Sequence, residues 1–414
     1  MYWLNNTREE EGMILREFFD YYFRAVDPEV LAMYQNLMPG VRDLAGSYEE
    51  LFSRNDDEAI AFLLDFYRLN SDLRNQNPEQ AIIFNVHNNV CFPFFVEYLW
   101  KVMKPEDRQK LKEKAGADDL AEITKRLNDD VNLRNWVRKE IGCNLSQQDL
   151  FTLNEIIALQ NFSSGGESSF LKYVYPDIQK LSGRVLDAGC GAGFATLVMS
   201  QYASVFSIDA CKARLERAMA LSNMMKKGEK NVFPRVMELI EEELGGIDVE
   251  CEFPSADDLL AGTSKEVTFV EGSIDDLPYP DNYFDAINCL DVLEHTYNPE
   301  AIVEQFARVL KPGGRVFITA PTRYGEVEQH IHESIEGTLY PAMLHMHHFD
   351  PQSLTEMFER HGFKTVEITP FDFMSWDEFM DIANRSPERE LAEELKSKPF
   401  DQVALQLFAV FEKI

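Results

Sequence analysis

The chain has 414 residues, of which 45% are hydrophobic and 27% charged, a balance that is ordinary for a globular protein. Its formal net charge is −31, and so acidic a surface argues against direct binding to nucleic acid or to anionic membranes. The most apolar stretch, residues 81–103, contains Asn, His, Pro and Glu side chains and is too polar for a membrane span.

The cysteines and the N-terminus bear on the cellular compartment. The six cysteines lie far apart, form no C-x-x-C pair and stand partly within strand-like or glycine-rich stretches, which favours reduced thiols. Residues 1–11 have neither a basic nor an apolar signal region. We therefore expect a cytoplasmic protein.

Residues 1–165 are predicted to form an α-helical accessory domain. Apolar residues recur there at three- and four-residue spacing, which is the period of amphipathic helices. The predicted helices are 13–26, 48–70, 79–103, 105–114, 118–140 and 147–160. This domain either closes as a lid over the substrate or provides a homodimer contact, and the sequence leaves both functions open. The short polar run 161–167 marks the boundary to a second domain, 166–414.

The second domain opens with a glycine-rich turn between a strand and a helix. A strand-like run ends at Asp187, and a helical run follows at 194–201. Between them stand three glycines at alternate positions, Gly189, Gly191 and Gly193. Glycine permits positive φ and lets the backbone approach a ligand closely. Strand, turn and helix N-terminus together predict a site for the polar or anionic part of a ligand.

A second buried strand, 205–209, ends in an acid, Asp209, twenty positions after Gly189. An acid at that place can accept hydrogen bonds from both hydroxyls of a ribose. The dinucleotide fingerprint needs Gly or Ala at the sixth position counted from Gly189, where Phe194 stands, so a nicotinamide dehydrogenase is disfavoured. The pattern predicts an adenosine-binding crevice at the carboxyl ends of parallel strands.

The rest of the domain alternates between strand and helix patterns. Apolar runs of strand length stand at 267–271, 283–290, 315–320, 363–369 and 402–412. Insertions are expected at about 226–265 and 371–398. The first is acidic and forms either a solvated surface segment or a flap near the adenine, and the second adds helix.

Three later stretches complete a recognisable series of motifs. They are an acidic loop at 271–285, Asp-Val-Leu-Glu-His at 291–295 and Arg-Val-Leu-Lys-Pro-Gly-Gly-Arg at 308–315. With the D-x-G-x-G-x-G turn before them, they resemble the class I S-adenosylmethionine-dependent methyltransferases, with a type 11-like core, over roughly residues 170–414. The resemblance implies an α/β, Rossmann-like fold with a seven-stranded, mostly parallel sheet, preceded here by the helical domain.

The resemblance also implies S-adenosyl-L-methionine as the cofactor. The glycine loop would hold its methionine end, Asp209 would take the ribose and Ala210 would pack on the adenine. The adenine edge would meet Ser273, Ile274 or Asp275. The expected cofactor-binding residues are Asp187, Gly189, Cys190, Gly191, Gly193, Asp209, Ala210, Ser273, Ile274, Asp275, Leu290 and Asp291.

The catalytic candidates are histidines. His295 follows the fourth strand one helical turn after Asp291, and a neutral imidazole there can accept a proton. A packing or capping function for His295 stays open. Five of the eight histidines lie between positions 330 and 348, namely His330, His332, His345, His347 and His348. His332 and His347 join His295 as predicted catalytic residues.

The histidine cluster leaves three hypotheses open: a polar pocket wall, a general base, or a metal site built on the paired H-x-H spacing. The sequence predicts a methyltransferase without a metal, acting by in-line displacement on a small-molecule acceptor at oxygen, nitrogen or carbon. Two alternatives are a metal-dependent methyltransferase using the 330–348 cluster and a cofactor-binding subunit without activity. The expected partners are the acceptor and a second copy bound through the helical domain, with neither nucleic acid nor membrane.

Overall fold

The computed structural model describes residues 92–146, 149–150, 153, 174–191, 193–212, 214–215, 218–219, 222, 265–336, 345–386, 389–398, 400 and 402–414. The predicted helices 13–26 and 48–70, the boundary run 161–167 and nearly all of the insertion 226–265 lie outside these residues. Within the described part of the chain, every helix is too short or too polar to cross a membrane.

Four helices lie between residues 92 and 140: α1 (Phe92–Val102), α2 (Pro105–Ala115), α3 (Leu120–Asp129) and α4 (Val131–Glu140). The single helix predicted for 118–140 is wrong, because Asp130 divides it. Its backbone is extended, and its side chain accepts hydrogen bonds from the amides of Asn132 and Leu133, which is an N-cap for α4. Helix α3 contacts the other three helices.

Seven strands form one sheet. They are β1 (Arg184–Ala188), β2 (Ser204–Asp209), β3 (Val267–Glu271), β4 (Phe284–Leu290), β5 (Leu310–Pro321), β6 (Phe363–Ser375) and β7 (Gln402–Lys413). Their order is β3-β2-β1-β4-β5-β7-β6. The strands from β3 to β5 are parallel, and β7 runs antiparallel to both of its neighbours. The predicted mostly parallel, Rossmann-like sheet is confirmed.

Helices alternate with these strands. They are α5 (Phe194–Met199), α6 (Pro299–Val309), α7 (Arg323–Glu336), α8 (Pro351–Arg360), α9 (Trp376–Ala383) and α10 (Arg389–Leu395). The boundaries follow capping chemistry, since the Asn298 side chain accepts from the Ala301 amide and Asp350 forms a capping box with Ser353. These caps fix where α6 and α8 begin.

Two hydrophobic clusters hold the domain together. The larger lies in the sheet and includes the fully buried Leu186, Ile287 and Val316, each contributing about 1.5 to 3 kcal/mol by burial. The smaller joins α7, α9 and α10 to the start of β7, with Ile331 and Phe379 fully buried. The sheet therefore fixes the carboxyl ends of its parallel strands, and the three helices form a packed unit next to β7.

Two strands differ from their predicted lengths. Strand β5 begins at Leu310 instead of 315, because its pairing with β4 jumps from Leu310 to Arg315 and the Lys-Pro-Gly-Gly run bulges between them. Strand β6 continues to Ser375, where 369 was expected, because it remains paired with β7 up to Gln402. The helix predicted from 371 therefore begins only at Trp376.

Candidate active site

The three glycines of the turn after β1 all have backbones that side chains disfavour. Their φ angles are +76° at Gly189, +52° at Gly191 and +86° at Gly193. A Cβ on Gly189 would lie 2.5 Å from Val292 Cγ2, and one on Gly193 would lie 2.6 Å from Ala218 Cβ. Glycine is therefore required at both positions by its φ angle and by packing within the protein.

Backbone and carboxylate contacts tie this turn to the end of β2. The Gly189 amide donates to the Ile208 carbonyl at 2.8 Å. The buried Asp209 carboxylate accepts from the Gly191 amide at 2.8 Å and from the Cys211 amide at 2.7 Å. Each carboxylate oxygen has two lone pairs, so Asp209 retains capacity for the hydroxyls of a ribose. Cofactor binding by Asp209 stays a prediction.

Asp187, at the end of β1, has both oxygens engaged inside the protein. Thr196 Oγ1 donates to it at 2.5 Å and Asn288 Nδ2 at 2.8 Å. Burial raises the pKa of Asp187 to about 6, although these two hydrogen bonds oppose the change. The carboxyl therefore links β1, α5 and β4 beneath the glycine turn, which is a positioning function. Its direct contact with a cofactor remains a prediction.

The loop after β3 carries the residues predicted to contact the adenine, and it lies next to Asp209. The Gly272 amide donates to the Asp209 carbonyl at 3.0 Å, so this loop begins beside the predicted ribose acid and Ala210. Ile274 is buried, whereas Ser273 and Asp275 are exposed. The described cofactor candidates after β1, β2 and β3 thus lie together at the carboxyl ends of these parallel strands. Cys190 belongs to this group and is buried.

The chain turns sharply where β4 ends at Leu290. Asp291 has a φ of +50°, and its carboxylate accepts from Thr319 Oγ1 at 3.0 Å. The bend places Val292 directly over Gly189 and leads into a 3₁₀ turn, Leu293–His295. Val292 therefore packs against the glycine turn and directly precedes the 3₁₀ turn that carries His295.

Glu294 is a functional candidate that the sequence analysis missed. It is only 1% exposed, and no described residue offers a hydrogen bond to its Oε2 atom. Burial and the negative charge of Asp291 raise the pKa of Glu294 well above its ordinary value. Its Oε1 atom lies 3.9 Å from His295 Nε2. The Glu-His pair in the 291–295 motif was the available signal.

A segment from the histidine cluster packs against this turn. The Met346 and His347 amides donate to the Glu294 carbonyl at 2.6 and 3.2 Å. The His345 ring meets the His295 ring edge-on, with 4.7 Å between centroids. Burial lowers the pKa of His345, and the charge of Glu326 opposes this change. The ring of His295 therefore contacts the ring of His345. His345 was not one of the three predicted catalytic residues, which were His295, His332 and His347.

Helix α7 adds a carboxylate to the cluster. His348 Nδ1 lies 3.3 Å from Glu326 Oε2. Burial alone would raise the pKa of Glu326, but the His348 hydrogen bond and the charges of His330, His348 and His345 lower it overall. Helix α7 thus places the Glu326 carboxylate among the imidazoles of this segment.

The other two predicted catalytic histidines stay predictions. The His347 ring lies 6.4 Å from the Phe349 ring, and none of the described residues hydrogen-bonds its Nε2 atom. His332 lies on α7, and its side chain is outside the described part of the structure.

Comparisons with known proteins agree with this arrangement. Residues 168–368 match the model of a family described as a methyltransferase domain. The ubiquinone biosynthesis O-methyltransferase of Xylella fastidiosa strain M23 is 30% identical over 154 residues, which are 37% of this chain and 48% of that protein. The protein of the same name from Xanthomonas axonopodis pv. citri is 25% identical over 234 residues, 55% of this chain and 81% of that one.

Among solved structures, an S-adenosylmethionine-dependent methyltransferase from Mesorhizobium loti is 16% identical with a TM-score of 0.34, covering 58% of this chain and 97% of that one. The chain spans about half the length of the first curated relative, 48% of it. The family match covers the glycine turn, Asp209, the loop after β3 and the 291–295 turn. Residues 168–368 are therefore a methyltransferase domain of the class I S-adenosylmethionine-dependent type.

Proposed function

We propose that the protein transfers a methyl group from S-adenosylmethionine to a small-molecule acceptor by in-line displacement. The observation that carries the proposal is that Val292 packs against Gly189 of the glycine turn. Val292 belongs to residues 291–295, which we name the acceptor-side turn. The sulfonium supplies an activated methyl group, and the protein must align it with the nucleophile and exclude water. In the proposed arrangement, the glycine turn holds the cofactor and the turn after β4 holds the acceptor.

An oxygen acceptor is the best supported. The relatives at 25 to 30% identity are named O-methyltransferases. A hydroxyl group must lose its proton during transfer. His295 is half-buried at the end of β4, and a neutral imidazole can receive such a proton. The Glu294, His295 and His345 group also favours a second way of activating the acceptor, through a divalent cation.

The test is calorimetric titration with S-adenosylmethionine and its demethylated product, followed by a turnover screen of hydroxyl and amine acceptors. We expect both ligands to bind and the demethylated product to be released with a hydroxyl acceptor. An exposed acid on α6 gives a matched control, since Glu304→Gln should bind and turn over like the parent protein. Binding without turnover of any acceptor would favour a non-catalytic subunit, and absence of binding would overturn the proposal.

A further inference from the structure

We propose that Glu294, His295 and His345 form a binding site for a divalent transition-metal cation such as Zn²⁺. Two imidazoles and one carboxylate are ligands that such an ion prefers. Binding of the ion is independent of the function proposed above, whereas its part in catalysis rests on that function. The sequence left a metal site among the histidines between 330 and 348 open as an alternative, and of that cluster this site uses His345.

The geometry of the three side chains suits one ion. One ligand atom from each residue can be chosen so that all three lie within 4.8 Å of one another. Tetrahedral ligands at about 2.1 Å from an ion are about 3.4 Å apart. The ligand atoms therefore have to approach one another by up to about 1.4 Å from their 4.8 Å separation, which rotation of the side chains can supply.

The Glu294 carboxyl is an independent observation that points to a cation. It is 1% exposed, and its Oε2 atom has no hydrogen-bond partner among the described residues. A buried carboxylate without a partner costs several kcal/mol. A divalent cation bound to this carboxylate would offset that cost.

The backbone holds the ligands together before any ion binds. Glu294 and His295 are neighbours in the 3₁₀ turn, so their spacing is fixed locally. His345 comes from a distant segment, and the amides of Met346 and His347 fasten that segment to the Glu294 carbonyl.

Three protein ligands leave at least one coordination position for the acceptor. A hydroxyl bound to the ion has a lowered pKa and releases its proton to solvent. The resulting oxygen forms a bond to the methyl carbon while the carbon–sulfur bond breaks and the sulfonium becomes a neutral thioether. In this arrangement His295 acts as a ligand, and proton uptake by its imidazole is not required.

The test uses the full chain after treatment with a chelator. Equilibrium dialysis and calorimetry with Zn²⁺, and the visible spectrum with Co²⁺, report the ion without any turnover. We expect one ion per chain with a tetrahedral Co²⁺ spectrum. His345→Asn and the isosteric Glu294→Gln should each weaken binding by about a hundredfold or more. His361→Asn is the matched control, because His361 pairs with Glu300 outside the cluster.

The outcomes separate this inference from the proposed function. S-adenosylmethionine should bind His345→Asn as it binds the parent protein, with folding checked by circular dichroism. Ion binding without cofactor binding would retain the metal site and overturn the methyltransferase proposal. Cofactor binding without a stoichiometric ion, or equal ion affinity in both ligand variants and the parent protein, would overturn the metal site.

Discussion

Asp209 accepts a hydrogen bond from the Gly191 amide at 2.8 Å, so the acid expected to bind the ribose also holds the glycine turn. Its other oxygen accepts from Cys211, at the start of the following segment. Replacing Asp209 should therefore also loosen the backbone of the glycine turn.

Asp209→Ala should weaken S-adenosylmethionine binding by about tenfold or more, because it removes charge-assisted hydrogen bonds to both the turn and the ribose. Calorimetric titration measures this. Glu304→Gln, an exposed acid replaced on α6, should leave the affinity unchanged. Unaltered affinity in Asp209→Ala would remove this residue from the cofactor site.

Gly189→Ala tests the close contact with Val292. Its φ of +76° costs an alanine about 1 to 2 kcal/mol, and the collision 2.5 Å from Val292 adds about 1 to 3 kcal/mol. Gly313→Ala is the control, because Gly313 has the same φ and a Cβ added there would meet no atom within 4 Å, so only the backbone cost applies. Urea unfolding measures both differences.

Val292→Ala should restore part of the loss in Gly189→Ala, because two of the colliding atoms are its γ-carbons. A double-mutant cycle therefore gives a favourable coupling energy. Additive effects, or equal destabilisation by Gly189→Ala and Gly313→Ala, would contradict the contact between the glycine turn and the acceptor-side turn.

The sheet was predictable from sequence because its central strands are buried on both faces. The central strand β4 begins only one residue later than expected, and the partly buried edge strand β3 has the predicted bounds. The glycine turn was predictable for a similar reason, since strand, glycines and helix are contiguous in the chain. The division at Asp130 was not, because a helix-period pattern runs through it and only the capping hydrogen bonds reveal the break.

The acceptor side was less predictable because it depends on contacts distant in sequence. His345 lies fifty positions after His295, and nothing local indicates that their rings meet. Glu294 likewise depends on a distant segment, because its carbonyl accepts hydrogen bonds from the amides of Met346 and His347. The sequence shows that histidines and acids are frequent between 291 and 348. Which of these side chains are neighbours depends on the fold.

His295→Ala should slow turnover by about a hundredfold while cofactor affinity stays within about twofold, because we propose that this side chain acts on the acceptor and not on the cofactor. The measurement is the rate of demethylated product release with saturating acceptor. His361→Ala, which changes a histidine at the end of α8, should retain the parent rate. If His295→Ala turns over at the parent rate, His295 has no catalytic function and serves only in packing.

Asp187 should make stability depend on pH. Its pKa is about 6 in the folded protein against 3.8 ordinarily, so the folded state binds more protons between these values. The free energy of unfolding therefore falls as the pH rises from about 4 to about 6, by about 3 kcal/mol at most, and its contribution is constant above that window. Urea unfolding at several pH values follows the change.

Asp187→Asn isolates this contribution from those of other titrating groups. The asparagine oxygen can still accept from Asn288, and its amide can donate to Thr196 Oγ1, which then donates to the Ser207 hydroxyl 2.9 Å away. The variant should therefore fold, and its stability should lack the decline between pH 4 and 6 that Asp187 causes. If the parent protein and the variant show parallel profiles across this window, the carboxyl titrates normally and burial does not govern it.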